Sequence, residues 1–139
     1  MSITIFDLDN CISDDINRHH LLPNYAKYHN ACYKDKLDLT GIQKVPEKIV
    51  IFTGRPELYK YETLGWLRKH DLFPELVLMR PKGNSLSNPS LKREFLLSLI
   101  LLFPLTSIDM AYDDRQDVLD MYSYEFGITT TLKRINNYE

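Results

Sequence analysis

Asp7 and Asp9 stand two residues apart at the end of the apolar run Ser-Ile-Thr-Ile-Phe. In an extended chain residues i and i+2 face the same side, so both carboxylates can enter one crevice, and two like charges that close call for a counter-ion. Asp113 and Asp114, after another apolar run, supply further acids. Together these oxygens suit Mg²⁺, which is commonly held by one or two carboxylates plus water and phosphate. Thr53-Gly54-Arg55-Pro56 follows a third run and offers a hydroxyl, backbone N–H groups and a guanidinium at a helix start, where a phosphate can be met. Arg80 and Lys82 follow a fourth run. Lys92 falls near the start of a helical pattern, a position that opposes the helix dipole unless an anion is close. Each has a plainer reading when taken alone: Asp9-Asn10 as a turn, Thr53-Gly54-Arg55 as a helix cap with an exposed arginine, Lys92 as a surface lysine. Their convergence on one rim is what points to phosphate chemistry.

The elements that must position these residues follow from hydrophobic pattern. Residues 2–8, 48–53, 75–79 and 107–112 are short, apolar and rich in β-branched or aromatic side chains, which predicts buried strands; a weaker one falls near 126–131. Pro56 to His70 opens with proline and reads as a helix, as does the stretch carrying Leu91, Phe95, Leu99 and Leu102 at i, i+4, i+8 and i+11. Strands alternating with helices predict an α/β fold, a doubly wound, Rossmann-like parallel sheet whose ligands bind outside the carboxyl ends of the strands. Residues 10–47 break the alternation. This stretch is rich in Tyr, His and Asn, carries at most one helix around Asn24 to Tyr33, and reads as an excursion over the active edge. Its Tyr25, Tyr28 and Tyr33 fit half-buried helix faces, with a base-stacking platform as the alternative. His19 and His20 adjoin Arg18, where they either line an anion site or are solvated; His70 closes its helix at the surface. The polar tail from Arg134 to Glu139 reads as a fraying end.

Length and composition bound the rest. A chain of 139 residues with 44% hydrophobic and 12% aromatic side chains is one folded domain, 1–139, without a separate cap. Seventeen basic residues against nineteen acidic ones leave a net charge of −2, so any anion site is local rather than a global field. Cys11 and Cys32 make neither a disulfide scaffold nor a zinc pattern. The start Met-Ser-Ile-Thr-Ile-Phe-Asp lacks the positive region of a signal peptide, and the apolar stretch Leu96 to Leu105 is too short to span a bilayer. The expectation is a cytoplasmic protein with no membrane partner.

Taken in order, Ile5-Phe6-Asp7-Leu8-Asp9-Asn10-Cys11, Phe52-Thr53-Gly54-Arg55-Pro56, Lys92 and Tyr112-Asp113-Asp114-Arg115 resemble the four motifs of the haloacid dehalogenase superfamily of phosphohydrolases. More narrowly, Ser13-Asp14-Asp15 to Arg18-His19-His20-Leu21-Leu22-Pro23, the TGRPE segment and Leu78-Met79-Arg80-Pro81 are similar to the phosphatase domain of polynucleotide kinase-phosphatases, including phage-type forms; no GxxxxGK[ST] loop is present, so the kinase half is missing. The resemblance implies that Asp7 is the nucleophile and Asp9 the general acid and base. It implies Mg²⁺ between Asp7, the Asp9 carbonyl and Asp113 with Asp114 assisting, Thr53 and Lys92 on the phosphoryl oxygens, and substrate contacts from Arg18, Gly54, Arg55 and Arg80. Three features depart from the family pattern. Asn10-Cys11 replaces Gly-Thr, Asn88 stands where an acid is usual, and Asp38 to Lys48 is short for the helix that normally precedes the second strand. The last departure would leave a sheet face for a partner subunit, so a homo-oligomer is one expectation.

The leading functional reading is a Mg²⁺-dependent phosphomonoesterase acting on a phosphorylated nucleic-acid end (3′-phosphate) or nucleotide. Alternatives are a phosphatase of free nucleotides or other small esters, and a degenerate binding subunit. A receiver-like phospho-acceptor domain does not fit, because its acceptor aspartate follows the third strand, where this chain has Met79-Arg80. Without a cap the site is expected to be an open trough, rimmed in positive charge by Arg18, Arg55, Arg80, Lys82 and Arg115, with salt-dependent substrate binding.

Overall fold

The computed structural model of the chain describes residues 1–42 and 46–137. Its centre is β1 (Ile3–Phe6), four residues all buried, flanked on both sides by parallel neighbours. Strand β4 (Lys48–Pro56) pairs along one edge of β1, and β5 (Leu76–Arg80) lies outside it. Strand β6 (Ile108–Asp113) pairs along the other edge, followed by β7 (Thr130–Leu132). The order β5-β4-β1-β6-β7 is parallel throughout, so the chain winds outward in one direction, returns to the middle and winds the other way. The crevice where the direction reverses, between the carboxyl ends of β1 and β6, is where such sheets bind ligands.

Period-two alternation assigns the two faces. Ile3, Ile5, Val50 and Phe52 point to the side covered by α3 (Asn88–Leu102) and α4 (Gln116–Phe126), meeting Leu91, Phe95, Leu99, Val118 and Tyr122. Phe6 and Ile51 point to the opposite side with Trp66 and Leu67 of α2 (Lys60–Lys69). The expected doubly wound α/β fold is present, with four of its strands at the expected places.

Several details differ. Pro56 has extended backbone (ψ 140°) and ends β4 rather than opening a helix. A register shift between Phe52 and Pro56 lets the strand continue as far as a pairing of Pro56 with Arg80, so α2 starts only at Lys60, after one 3-10 turn. The fifth strand begins at Thr130, because Phe126 still belongs to α4 and Gly127, at φ 67°, ends that helix in the left-handed conformation. Helix α4 itself was not anticipated. The excursion holds α1 (Tyr25–Asn30), 3-10 turns at Ile16–Leu21 and Ala31–Lys34, and a small antiparallel pair, β2 (Ser13–Asp14) with β3 (Lys36–Leu37). Among the described residues of 38–47 there is no helix, and Phe6, Ile12, Leu39, Ile42, Ile49 and Phe73 line a groove on that side.

The tail is tied down rather than frayed as far as it is described; Tyr138 and Glu139 lie outside the described residues. Asn10 takes φ 60°, which Asn tolerates better than most side chains. Its carbonyl accepts from the Ile135 amide at 2.9 Å, its Oδ1 from the Asn136 amide at 2.7 Å, and its Nδ2 donates to the Asn136 carbonyl at 2.8 Å. The loop leaving β1 is therefore closed by residues at the far end of the sequence. No helix among the described residues is long and apolar enough to cross a membrane.

Candidate active site

The residues singled out by sequence arrive at the reversal crevice from four elements. Asp7 leaves β1, Asp113 ends β6 with Asp114 next to it, Thr53 lies in β4, and Lys92 reaches in from the second turn of α3. Asp7, Asp113 and Asp114 each offer a carboxylate oxygen within 4.8 Å of one another. Lys92 Nζ donates to Asp7 Oδ1 at 2.8 Å and to Asp113 Oδ2 at 2.6 Å, with its side chain only 3% exposed. One buried cation thus bonds two of the three acids. Burial, and after it the negative charge of Asp7, pushes both the Asp113 and the Asp114 carboxyl upward. A hard, oxygen-seeking cation would relieve that crowding, and the donor set, oxygen only and without Cys or His, fits Mg²⁺.

Asp9 faces the same cavity but lies outside the three-acid cluster. Arg18 NH2 donates to Asp9 Oδ1 at 2.6 Å, as does Arg55 NH2 at 2.6 Å, and Arg55 Nε adds bonds to both oxygens. Burial works to raise the Asp9 carboxyl, but the Arg55 and Arg18 guanidiniums hold it well below the usual carboxylate range. A depressed pKa contributes stability that is fully present above the unfolded value, near pH 4, and is lost as the pH falls below it. Asp9→Asn is accordingly expected to be less stable than the wild type at pH 7, with the gap in denaturation midpoint narrowing as the pH is lowered from about 5 to 3. A gap that stays constant over that range would mean that the two arginines do not hold Asp9 ionised.

The arginines reach the site differently from the substrate contacts the resemblance implies. Arg18 gives Nε and NH2 to Asp35, NH1 to the Tyr28 carbonyl and NH2 to Asp9. Arg55 gives NH1 to Thr63 and NH2 to Ser13 besides Asp9. Both are buried, and their charge goes to Asp9 and Asp35. Arg80 does not line the cavity. It gathers its own loop, donating to the carbonyls of Gly54, Asn84 and Leu86 and to Oδ1 of Asn84 and Asn88. A Cβ at Gly54 would sit 2.9 Å from Asn88 Oδ1, so a larger residue there would displace the Asn88 amide from its place beside Arg80. Asn88, at the place of the usual acid, thus serves Arg80. Arg115 pairs with Asp117 at 2.8 Å. The positive rim expected from five cations is much reduced: Arg18, Arg55 and Arg80 are held by acids or carbonyls, Arg115 is exposed but paired with the equally exposed Asp117, and Lys82 is exposed.

Thr53 Oγ1 accepts from the Arg55 amide at 3.1 Å, which turns the strand end toward the cavity. That turn lies inside β4 rather than at a helix N-terminus, because the bulge carries the strand onward. The cavity, about 350 Å³, is walled on one side by Asp7, Asp9, Thr53, Gly54, Arg55 and Lys92. Leu22, Tyr25, Tyr28 and His29 of the excursion form another part of its wall, together with Asp15 and His19. His20 is exposed, while His70 caps α2 and packs on Trp66 at 4.9 Å. Sequence reasoning missed Asp35 and Asp15. Asp35 sits under both arginines, and Asp15 holds the Tyr28 hydroxyl and His19 Nε2. No spacing signal could have found them, since their partners lie in irregular segments.

Neither a protein-family model nor a curated protein matches the chain. Solved structures do. A chain from the structure of the Pnkp1/Rnl/Hen1 complex aligns with a TM-score of 0.77 at 22% identity, covering 99% of this chain and 46% of that one. A chain from the structure of the Pnkp1/Rnl/Hen1 RNA repair complex aligns with a TM-score of 0.71 at 21% identity, covering 99% of this chain and 43% of that one. This chain therefore spans less than half the length of those neighbours, and at such identities the likeness establishes a shared α/β fold.

Proposed function

We propose that the protein is a Mg²⁺-dependent phosphomonoesterase of the haloacid dehalogenase type, acting through an aspartyl-phosphate on a phosphorylated nucleic-acid end or nucleotide. The observation that carries this reading is the Asp7, Asp113 and Asp114 cluster with Lys92 bonded to Asp7 and Asp113, set at the reversal crevice of a parallel sheet. The fold it shares with chains of an RNA repair complex supports the choice of nucleic-acid ends as substrate.

Asp7 Oδ attacks phosphorus as the bond to the leaving oxygen breaks, and that oxygen takes a proton from Asp9. Water then attacks the phosphorus of the aspartyl-phosphate, gives its proton to Asp9, and the bond to Asp7 breaks to release phosphate. Lys92 orients Asp7 and, with Thr53, neutralises the phosphoryl oxygens, since phosphoryl transfer needs chiefly positioning and charge balance. Arg18 and Arg55 fix the rotamer of Asp9 and keep it ionised between turnovers; an incoming phosphate dianion offsets their field and lets Asp9 take up the proton it must donate. Asp7, Asp113 and Asp114 would hold Mg²⁺, which supplies further charge neutralisation at the phosphate.

Phosphate release in Mg²⁺ from a 3′-phosphorylated oligonucleotide, a mononucleotide and a sugar phosphate tests the proposal. The oligonucleotide end is expected to be hydrolysed at least as efficiently as the mononucleotide, with excess chelator silencing the reaction and Mg²⁺ restoring it. A deficit of about two orders of magnitude for the oligonucleotide would reassign the substrate to free nucleotides. Release from none of the three, with binding retained, would mean a degenerate binding subunit, and full activity in excess chelator would remove the metal.

A further inference from the structure

Beyond its terminal phosphate, a nucleic-acid substrate is usually gripped through its other phosphates, and this cavity is poorly equipped for that. Four carboxylates, Asp7, Asp9, Asp15 and Asp114, line it against three cations, Arg55, Lys92 and Arg115. Each of those cations is already paired with an acid. The part of the wall supplied by the excursion is of another kind. Leu22 and Tyr25 stand out into solvent, 38% and 64% exposed, while Tyr28 and His29 are half-buried behind them. The rings form a rank: Tyr25 lies 6.5 Å from His29 at an interplanar angle of 29°, and His29 lies 5.1 Å from Tyr59, again at 29°. Tyr28 closes it edge-on, 5.1 Å from His29.

This wall is held rigid before any ligand arrives. Asn24 caps α1 through the Lys27 amide, and Arg18 ties the Tyr28 carbonyl at 3.0 Å while its guanidinium lies 4.3 Å over the Tyr28 ring. The Tyr28 hydroxyl is fixed on Asp15. Burial takes His29 down to about 4, so at neutral pH the middle ring of the rank is an uncharged imidazole. Its buried Nδ1 has no hydrogen-bond partner among the described residues. A flat aromatic and apolar surface on the same cavity as Asp7 suits a heteroaromatic base, since every base has a π-face to stack.

We propose that Leu22, Tyr25 and His29 form a seat on which the base of the phosphate-bearing nucleoside stacks, so that the protein recognises the terminal nucleoside rather than the strand behind it. The proposal rests on the phosphatase reading for the placement of the phosphate at Asp7. It also replaces the salt-dependent grip expected from sequence. Stacking is insensitive to ionic strength, and lengthening the strand beyond its last nucleoside adds little.

The test compares two 3′-phosphorylated oligonucleotides of one length in Mg²⁺, one ending in deoxyadenosine and the other in an abasic sugar. The wild type is expected to favour the base-bearing end by about tenfold in kcat/KM. Tyr25→Ala should bring that ratio close to one, and Tyr25→Phe should restore it, since the ring and not the hydroxyl does the stacking. Equal handling of the two ends by the wild type, or an unchanged ratio in Tyr25→Ala, overturns the seat. Should neither oligonucleotide release phosphate, a nucleic-acid end is not the substrate of the reaction. The seat is then judged by fluorescence anisotropy with the same two oligonucleotides: a base-bearing end bound about tenfold tighter, with the advantage lost in Tyr25→Ala, sustains it, and equal binding overturns it.

Discussion

Asp7→Asn is expected to reduce phosphate release by at least about a thousandfold while the protein stays folded. An amide nearly isosteric with the carboxylate cannot attack phosphorus, yet its oxygen can still accept the 2.8 Å bond from Lys92. The fold has a physical reason to tolerate the change. Burial and the charge of Asp7 both push Asp113 and Asp114 upward, so removing that charge relieves repulsion among three crowded acids. The thermal midpoint without metal should therefore hold or rise, and the increment gained on adding Mg²⁺ should shrink. A well-folded Asp7→Asn protein retaining a tenth of wild-type activity would end the aspartyl-phosphate mechanism.

Lys92→Met should damage both stability and turnover. Its ammonium is, among the described residues, the cation bonded to both Asp7 and Asp113, and a methionine of similar length leaves those buried carboxylates facing each other without it. Stripping one partner from a buried ionic cluster costs about 3–5 kcal/mol. Loss of a preorganised cation at the phosphoryl group costs about 10²–10³ in kcat. The sign of the pH dependence follows from the shifts. Although burial opposes it, Asp113 and Asp7 raise the Lys92 pKa, so its stabilisation is fully present below its unfolded value and is lost only as alkaline pH passes the folded one. In the variant Asp113 and Asp114, already raised by burial and by the charge of Asp7, destabilise the fold once ionised, so the deficit should narrow as the pH falls toward 4. Denaturant titrations of both proteins at pH 4 and pH 8 measure it; a deficit that is equal at the two values would show that Lys92 is not the counter-charge of this cluster.

The contrast between legible and hidden features has a physical basis. Strands buried on both faces read as continuous apolar runs, so β1, β4, β5 and β6 and the polar residues leaving them, Asp7, Thr53, Arg80 and Asp113, were visible in the sequence. Helix α4 was overlooked although its signal is present: Val118, Leu119, Met121 and Tyr122 keep helical spacing directly after the acid motif. The beginning of α2 was misplaced because proline suits both a first helical turn and the end of a strand beyond a bulge; pairing of Pro56 with Arg80 decided it. Charge was legible but its use was not. Arg18, Arg55 and Arg80 could be read as cations at the rim, whereas their consumption by Asp9, Asp35 and loop carbonyls depends on a segment that folds as short 3-10 turns and a two-residue strand pair.

The closure of the β1 loop by Ile135 and Asn136 also bears on how the site comes into being as the chain folds. Asn10 and Asn136 are 126 positions apart, and the Asp7 to Lys92 bond spans 85. Contacts between such distant positions require large loops to close before they return any energy, which places them late along a folding route. Helices α3 and α4 can gain their backbone hydrogen bonds locally, while the acid cluster and the shape of its loop wait for the last strand to dock. During refolding, far-UV ellipticity should consequently recover ahead of catalytic competence. A partly folded population would carry much of the native helix content and almost none of the activity.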